Sequence, residues 1–274
     1  MKTTVNFDEP HIYHLYFGNH SAPPAGIFTL FPFEHAVPGH PGVGTPSGFA
    51  YRASVDALEA VSVQVREARS FVRFGDRGLR LHDPDGIPVE IIAPAEATET
   101  MAHAQFHSVT LMVREAARTT AFLTEVFGWT VAGEERDEEG RRTRLAAPGD
   151  APGRFVDVVE PDIPVIAKAG AGSIHHVAFR AADEEALAEW REAVHDWGLK
   201  PTAILDRQYF RSVYFVEPGG ILVEIATDPP GFTVDEAADS LGTSLKLPPR
   251  YEPRRAEIEA ALPRLRRHDL EGAV

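Results

Sequence analysis

The stretch that decides the fold is Ile174-His-His-Val-Ala-Phe-Arg180, which is followed by the strand-like run Gly219-Gly-Ile-Leu-Val-Glu224. Side chains alternate across a strand, so only one of the two adjacent histidines can face a given side of its sheet. A lone strand histidine is more often a core or surface residue than a ligand. Glu224 shifts that balance, because a carboxylate buried in an apolar strand must be paired or bound to a metal. The two runs therefore predict part of a metal site.

The chain around these runs has the order of one βαβββ unit. Asp183 is predicted to cap a helix that ends at Gly198, since aspartate favours helix N-termini and glycine favours C-termini. Strands are predicted over 174–180, 201–205, 210–216 and 221–226.

An earlier block repeats this order, with a strand from Gly48 to Ala53, a helix from Val55 to Ala68 and a final strand that contains Glu90. The turns that precede Glu90 and Glu224 both place a glycine four residues before the glutamate. A third block has a strand over 106–113, a helix over 115–126 that Gly128 stops, and a strand over 154–159. Residues 3–33 are similar to the later strands of a unit whose first strand and helix are missing.

The sequence thus predicts an α+β fold of tandem βαβββ repeats, four units with the first truncated, paired into two half-barrel domains. The boundaries are 1–34 for the truncated first unit, 48–94 for the second, 105–160 for the third, 173–227 for the fourth with the metal site, and 228–274 for a C-terminal tail. We expect the first unit beside the fourth and the second beside the third. The residual first-unit strands should present an unpaired edge and exposed aromatic side chains, which favours dimerisation into a homo-oligomer, aggregation or local disorder. These aromatics are Phe7, Tyr13, Tyr16, Phe28, Phe31 and Phe33.

Alignment of the repeats indicates which histidine faces the site. Ser108 in the third block and Gly48 in the second take the position of His176. Only the fourth unit keeps both histidine and glutamate, so Glu90 is interpreted as a relic of duplication held by a polar neighbour or water. By the same register, the His107 side chain should point away from the face that Ser108 occupies.

Composition limits the function. A chain of 274 residues can form two compact units with cores of their own. The absence of cysteine excludes disulfides and thiolate metal sites. The formal net charge of −14 argues against nucleic acid and anionic membrane surfaces as partners. Neither a signal peptide nor an apolar stretch approaching ~18 residues is present, which predicts a cytoplasmic protein.

Several runs carry a family resemblance: Lys2-Thr-Thr-Val-Asn-Phe-Asp-Glu-Pro10, Tyr13-His-Leu-Tyr-Phe-Gly18, Phe106-His-Ser-Val-Thr-Leu111, Ile174-His-His-Val-Ala-Phe179, Tyr209-Phe-Arg-Ser-Val-Tyr-Phe215, Gly219-Gly-Ile-Leu-Val-Glu224 and Gly231-Phe-Thr-Val-Asp235. Together they resemble the vicinal oxygen chelate superfamily, which contains glyoxalase I, extradiol ring-cleaving dioxygenases and bleomycin or fosfomycin resistance proteins. More narrowly, the chain is similar to the hydroquinone-type ring-cleaving dioxygenases of bacteria.

The resemblance implies that His176 and Glu224 are metal ligands, and that His175 and Tyr214 lie beside them as catalytic groups that move a phenolic proton. Tyr214 could equally pack as an ordinary strand aromatic. The chain departs from the family at the third ligand, which in relatives is a histidine in a His-His-Ile-Thr strand upstream of the Thr-Val-Asn-Phe segment. Three explanations stay open: a start codon further upstream, a natural truncation with an incomplete site, or His107 as the third ligand.

The resemblance further implies a non-haem Fe(II)-dependent ring-cleaving dioxygenase that acts on a dihydroxylated aromatic of the hydroquinone or catechol type. Two histidines and a carboxylate form the facial triad of iron(II) oxygenases, although Mn, Zn or Ni are alternative metals. The expected partners are a small aromatic substrate and dioxygen. Two alternatives remain: a glyoxalase-like metal-dependent lyase or isomerase, and a non-catalytic small-molecule-binding protein of the resistance type. Metal identity and oxygen uptake distinguish them.

Two further segments have open interpretations. The loop over 34–44, rich in glycine and proline, is either a flexible lid or a surface connection. The tail contains a predicted helix over 254–262 whose charges alternate in sign. We expect the tail to act as a structural clasp.

Overall fold

The computed structural model describes residues 1–18, 26–95 and 105–265. Its elements are β1 (Lys2–Val5), β2 (Tyr13–Phe17), β3 (Phe28–Leu30), β4 (Thr45–Arg52), α1 (Val55–Gln64), β5 (Arg69–Arg73), β6 (Asp76–His82), β7 (Pro88–Ala93), β8 (Gln105–Met112), α2 (Ala116–Phe127), β9 (Thr130–Asp137), β10 (Gly140–Ala146), β11 (Phe155–Glu160), β12 (Val177–Ala181), α3 (Glu184–Asp196), β13 (Leu205–Asp206), β14 (Phe210–Val216), β15 (Leu222–Pro230) and α4 (Arg255–Ala261). Among the described residues, none of the helices is long and apolar enough to cross a membrane.

The chain forms two compact units. The first comprises Met1–Phe17, Phe28–His35 and the chain from Phe232 onward, and the second comprises Gly18–Ile27 and Ala36–Gly231. The first unit contains a three-stranded sheet in the order β1-β2-β3, and the second contains an eight-stranded and a four-stranded sheet. The predicted second, third and fourth blocks therefore lie in the second compact unit.

The eight-stranded sheet has the order β5-β6-β7-β4-β8-β11-β10-β9. Within each half, the first strand of a block pairs in parallel with its last strand: β4 with β7, and β8 with β11. The antiparallel pair β4–β8 joins the two halves. The second and third blocks thus share one sheet, as the register predicts.

The four-stranded sheet of the fourth block has the order β12-β15-β14-β13. Its first strand, β12, is again parallel to its last, β15. Asp183 caps α3, because its Oδ1 accepts a hydrogen bond of 2.9 Å from the Ala186 backbone N–H. Gly198 follows the helix with φ +99°, a backbone conformation that glycine adopts without steric cost. Both ends of the helix are where the sequence predicts them.

The main core of the second unit lies between helices α2 and α3 and the strands beneath them. The Phe122 ring contacts the rings of Phe127, Trp197 and Phe215 at centroid distances of 5.3 to 5.6 Å. Leu187 on α3 is fully buried in the same cluster. This apolar burial, worth roughly 25 cal/mol per Å², fixes both sheets against the helices.

Two predicted strands are wrong in extent. The strand predicted over 174–180 begins only at Val177, so both adjacent histidines precede it. The strand predicted over 201–205 shrinks to Leu205–Asp206. Two features limit strand pairing upstream of Leu205. Pro201 has no backbone N–H to donate to a neighbouring strand. The Tyr214 backbone N–H donates to the Thr202 side-chain oxygen.

The expected exposure of the first-unit aromatics is also wrong for several of them. Phe7 and Tyr16 are 6% and 3% exposed, whereas Phe33 is 53% exposed. The tail provides the cover: the Tyr251 hydroxyl donates to the Phe7 carbonyl at 2.7 Å, and Phe232 packs on Tyr16. It also covers the edge of β1, since the Lys246 N–H donates to the Thr3 carbonyl at 2.9 Å. Within this unit the tail therefore covers β1 and the buried aromatic side chains.

Candidate active site

The candidate site lies in the fourth block, where Glu224 is the central hydrogen-bond acceptor. Glu224 lies on β15 and is 4% exposed. His176, in the segment just before β12, approaches it with Nε2 3.0 Å from Oε2. Tyr214 is the register partner of Glu224 on β14, and its hydroxyl donates to Oε1 at 2.5 Å. His175 contacts His176, with the two Nδ1 atoms 2.8 Å apart. The structure therefore brings together all four residues that the sequence analysis places at the site.

The hydrogen bonds form one directed chain. An ionised Glu224 can only accept, so the Tyr214 hydroxyl and the His176 Nε2–H donate to it. With the Nε2–H tautomer of His176, its Nδ1 accepts from the Nδ1–H of His175. The four side chains are thus joined in one hydrogen-bonded chain from His175 to Tyr214.

Burial and these contacts shift the titration of the site. Burial alone would raise the pKa of Glu224, but hydrogen bonds from His176 and Tyr214 hold that pKa below its ordinary value. Burial and the neighbouring Glu224 raise the pKa of the Tyr214 phenol. Partial removal from water, and then the proximity of His176, lower the pKa of His175. At neutral pH the site thus holds a carboxylate, a protonated phenol and a neutral His175.

Two residues of this site were missed by the sequence analysis. The Arg207 guanidinium lies 5.2 Å from the centroid of the Tyr214 ring. Ser212 is fully buried two residues before Tyr214, on the same face of β14. The alternation of side chains along β14 could have identified Ser212, because it places residues 212 and 214 together. Arg207 precedes that strand, and no spacing signal pointed to it.

The donors present suit a divalent metal ion in part. His176 Nε2 and Glu224 Oε2 lie 3.0 Å apart, so both atoms could contact one bound cation. An imidazole and a carboxylate are also donors that iron(II) accepts. In the described parts of the chain, however, no group of three or more histidine, cysteine, aspartate or glutamate side chains is arranged to hold a metal. His176 and Glu224 are therefore two adjacent groups of the kind that bind divalent metals.

His107 lies elsewhere, inside the eight-stranded sheet. A register shift in the β4–β8 ladder pairs Ala50 with Ser108 and Tyr51 with Phe106, which leaves His107 as the extra residue of a bulge. His107 Nδ1 consequently lies 3.0 Å from Ser108 Oγ. The expectation that the two side chains point to opposite faces was wrong, because a bulge interrupts simple alternation. The structure does not group His107 with His176 and Glu224.

The place of Glu224 is occupied by a carboxylate in all three complete repeats. Ala178 pairs with Glu224 in β12–β15, Ala50 pairs with Glu90 in β4–β7, and Thr110 pairs with Asp157 in β8–β11. Asp157 was missed, although Gly153 lies four residues before it, as the glycines before the two glutamates do.

In the eight-stranded sheet these carboxylates are neutralised by arginines. Glu90 accepts hydrogen bonds from Arg73 and Arg80 at 2.8 to 3.0 Å. Asp157 is fully buried and accepts from Arg144 at 2.7 and 2.8 Å. Arg80 and Arg144 are the register partners of these carboxylates, the position that Tyr214 holds opposite Glu224. Glu90 was expected to be held by a polar neighbour or water, and it is held by guanidinium groups.

Comparison with known proteins places this geometry in a family. Residues 105–234 match the model of the glyoxalase/bleomycin resistance protein/dioxygenase superfamily. The chain is 35% identical over 276 residues to MhqO of Bacillus subtilis, a protein named as a ring-cleaving dioxygenase, with 96% of this chain and 86% of the relative covered. The chain belongs to this superfamily.

Two further proteins are similar to this chain over most of its length. The chlorohydroquinone/hydroquinone 1,2-dioxygenase of Sphingobium indicum is 32% identical, over 94% of this chain and 86% of its own length. A crystal structure described as a dioxygenase from Bacillus subtilis has a TM-score of 0.89 and 34% identity, and covers 98% of this chain and 89% of its own. Glyoxalase I from Zea mays, at 15% identity and a TM-score of 0.59 with 83% of each chain covered, shares the fold alone. The fold is thus the α+β vicinal oxygen chelate fold.

Proposed function

We propose that this protein is a non-haem Fe(II)-dependent ring-cleaving dioxygenase that acts on a dihydroxylated aromatic of the hydroquinone type. The observation that carries the proposal is the pairing of His176 and Glu224 as adjacent donors, with Tyr214 bonded to the same carboxylate. The relatives support the reaction class, because those at 32% and 35% identity are named as dioxygenases.

His176 and Glu224 would hold the metal ion, which when bound supplies a Lewis acid and a route for electrons between an aromatic substrate and dioxygen. A His176 that binds through Nε2 keeps its proton on Nδ1. His175, whose Nδ1 lies 2.8 Å away, then accepts that proton's hydrogen bond and fixes the ring orientation.

Tyr214 and His175 can both donate a hydrogen bond to a phenolic substrate. Tyr214 stays protonated at neutral pH, so its hydroxyl can donate to a substrate oxygen. His175 has a lowered pKa and stays neutral; with its Nδ1 accepting from His176, its proton lies on Nε2, which can donate to a second substrate oxygen. His175 contacts His176 and Tyr214 contacts Glu224, so both groups lie beside the proposed metal donors.

A comparison of the sheets supports a position for the third donor. In the eight-stranded sheet the first strands of two repeats, β4 and β8, pair with each other. The corresponding outer edge of β12 has no ladder partner among residues 1–18, 26–95 and 105–265. A strand placed there would run beside the segment that carries His176. We infer that a histidine on such a strand completes the site.

The test is oxygen consumption with a substituted hydroquinone after anaerobic loading with Fe(II). We expect one dioxygen to be consumed per ring opened, with higher activity in a version extended upstream by a strand that carries a register-matched histidine. Equal and high activity in both versions would assign the third donor to another residue, with His107 as the first candidate. Loss of all oxygen uptake in both versions would contradict the proposal. Turnover with zinc or nickel under anaerobic conditions would instead indicate a lyase or isomerase.

A further inference from the structure

The two site histidines are held by a segment without strand pairing. β12 begins only at Val177, so residues 173–176 have no ladder partner to fix their register. His176 Nε2 nevertheless lies 3.0 Å from Glu224 Oε2, and such a contact needs a defined backbone position at His176. The contacts of residues 165–173 show what supplies it.

The support is a ribbon formed by two linker segments of the second compact unit. Residues 37–43 run alongside residues 165–171, with backbone hydrogen bonds of 2.8 Å from Gly39 N to Ala171 O and 3.0 Å from Ala171 N to Val37 O. A further pair joins His40 and Lys168, at 2.9 and 3.0 Å in the two directions. The loop over 34–44, expected to be a lid or a surface connection, is thus tied for much of its length to the segment that leads into the site.

The end of this ribbon is closed by a turn at Ser173. The Ser173 hydroxyl donates to the Gly170 carbonyl at 2.6 Å and accepts from the Gly170 N–H at 3.0 Å. Gly172, with φ +79°, seats directly on the turn before β7, because an added Cβ would lie 2.1 Å from the Asp85 carbonyl oxygen. These contacts fix the backbone three and four residues before His176.

We propose that Gly172 and Ser173 are positioning residues for the proposed metal site, which act by holding the segment that presents His175 and His176. The proposal rests on the proposed function for the identity of the bound ion, but not for the orientation of the histidines. It makes the ribbon over 37–43 and 165–171 a structural part of the site, although none of its side chains belongs to the donor set.

The principal test compares Gly172→Ala with Gly198→Ala. Both glycines have positive φ and lie in the second compact unit, but an added Cβ at Gly198 meets no atom within 4 Å. Both variants should therefore carry a similar backbone strain, and only Gly172→Ala should displace the histidine segment. The probes are Co²⁺ titration of the protein and the imidazole ¹⁵N signals of His176 in the metal-free protein.

We expect Gly172→Ala to weaken Co²⁺ binding by about tenfold or more and to shift the His176 signals, while Gly198→Ala leaves both unchanged. Equal behaviour of the two variants in both measurements would overturn the proposal. Because the ¹⁵N signals are read without metal, they decide the positioning role even if the wild-type protein consumes no oxygen.

Ser173 provides a milder variant in case Gly172→Ala does not fold. Ser173→Ala removes the hydroxyl that joins Gly170 N and O, and should shift the His176 signals and weaken Co²⁺ binding in the same direction. Ser173→Thr restores the hydroxyl and should return both towards wild type. Unchanged signals in Ser173→Ala, or a failure of Ser173→Thr to restore them, would contradict the positioning role.

Discussion

At the residue scale, Glu224 is the group on which the candidate site depends. A carboxylate that is 4% exposed is costly unless donors satisfy it, and here the donors are His176 and Tyr214. The same contacts place His176 Nε2 3.0 Å from Glu224 Oε2, the two atoms that we propose as metal donors. Substitution of either residue should therefore disturb both the hydrogen-bond network and the proposed metal site.

The site residues should separate into two classes when each is substituted. In the version extended upstream by a strand with a register-matched histidine, His176→Ala and Glu224→Ala each remove a proposed metal donor and should abolish iron retention. His175→Ala and Tyr214→Phe leave the donors in place, so they should keep iron but lower turnover by about 10- to 100-fold. The measurement is iron per chain after gel filtration, together with oxygen uptake. Iron content that is unchanged in His176→Ala would remove it from the donor set.

His107 should make the folded state sensitive to mild acid. Burial, and then the Arg144 guanidinium, lower its pKa to about 4, from an unfolded value of roughly 6.5. The contribution of the neutral ring is complete above pH 6.5 and is lost as the pH falls towards 4, because the unfolded chain binds the proton more readily. His107 should account for a loss of roughly 2 kcal/mol between pH 7 and pH 5.

Urea unfolding at these two pH values measures that loss in the wild type and in His107→Asn, which keeps a polar side chain beside Ser108. The variant should lose less stability on acidification. An identical loss in both proteins would place the sensitivity on other groups.

At the scale of elements, parallel pairing of the first and last strands fixes the carboxylate position in each repeat. The fourth repeat uses that position for Glu224 with Tyr214 opposite, whereas the other two use it for a carboxylate with an arginine opposite. A guanidinium there provides a permanent counter-charge. The buried carboxylates of the eight-stranded sheet, Glu90 and Asp157, thus find their counter-charges on arginines of the same sheet.

This network should have a large effect on stability when one member is removed. Asp157→Asn leaves Arg142 and Arg144 buried without that carboxylate, and should destabilise the fold by about 3 to 5 kcal/mol. The matched control is Asp162→Asn, because the Arg136–Asp162 pair is 58% and 65% exposed and should contribute less than about 1 kcal/mol. The measurement is the free energy of unfolding in urea. Similar values for the two variants would show that the buried network is dispensable.

Local sequence signals predict some features of these elements, whereas features that depend on distant contacts are not predicted. Periodicity and turn signals predicted the repeats and the caps of α3, because those signals are local. Alternation failed at His107 and at His175 and His176, since a bulge and an irregular segment depend on contacts distant in sequence. Asp157 was missed because the chosen pattern required glutamate, although the glycine spacing was present.

At the scale of the whole molecule, an ion-pair cluster joins the N-terminal strand β1 to the tail within the first compact unit. Lys2 is fully buried, and its ammonium group contacts Asp235 at 2.8 Å and Glu236 at 2.9 Å. Burial alone would raise the pKa of Glu236, but Lys2 and the Gly242 N–H hold that pKa below its ordinary value. A contact across 234 residues of sequence thereby joins β1 to the tail.

Substitution of Lys2 should therefore loosen one unit and spare the other. Lys2→Met leaves the Glu236 carboxylate buried without its counter-charge, which is strongly destabilising. Because local stability differs between parts of a protein, we expect faster hydrogen exchange in 1–17, 28–35 and 232–265, with unchanged exchange in 105–231. Lys200→Met, a substitution of an exposed lysine in the second unit, is the control and should change neither region. Faster exchange throughout 105–231 in Lys2→Met would contradict this expectation, because it would show that the contact of Lys2 with Asp235 and Glu236 also stabilises the unit that contains His176 and Glu224.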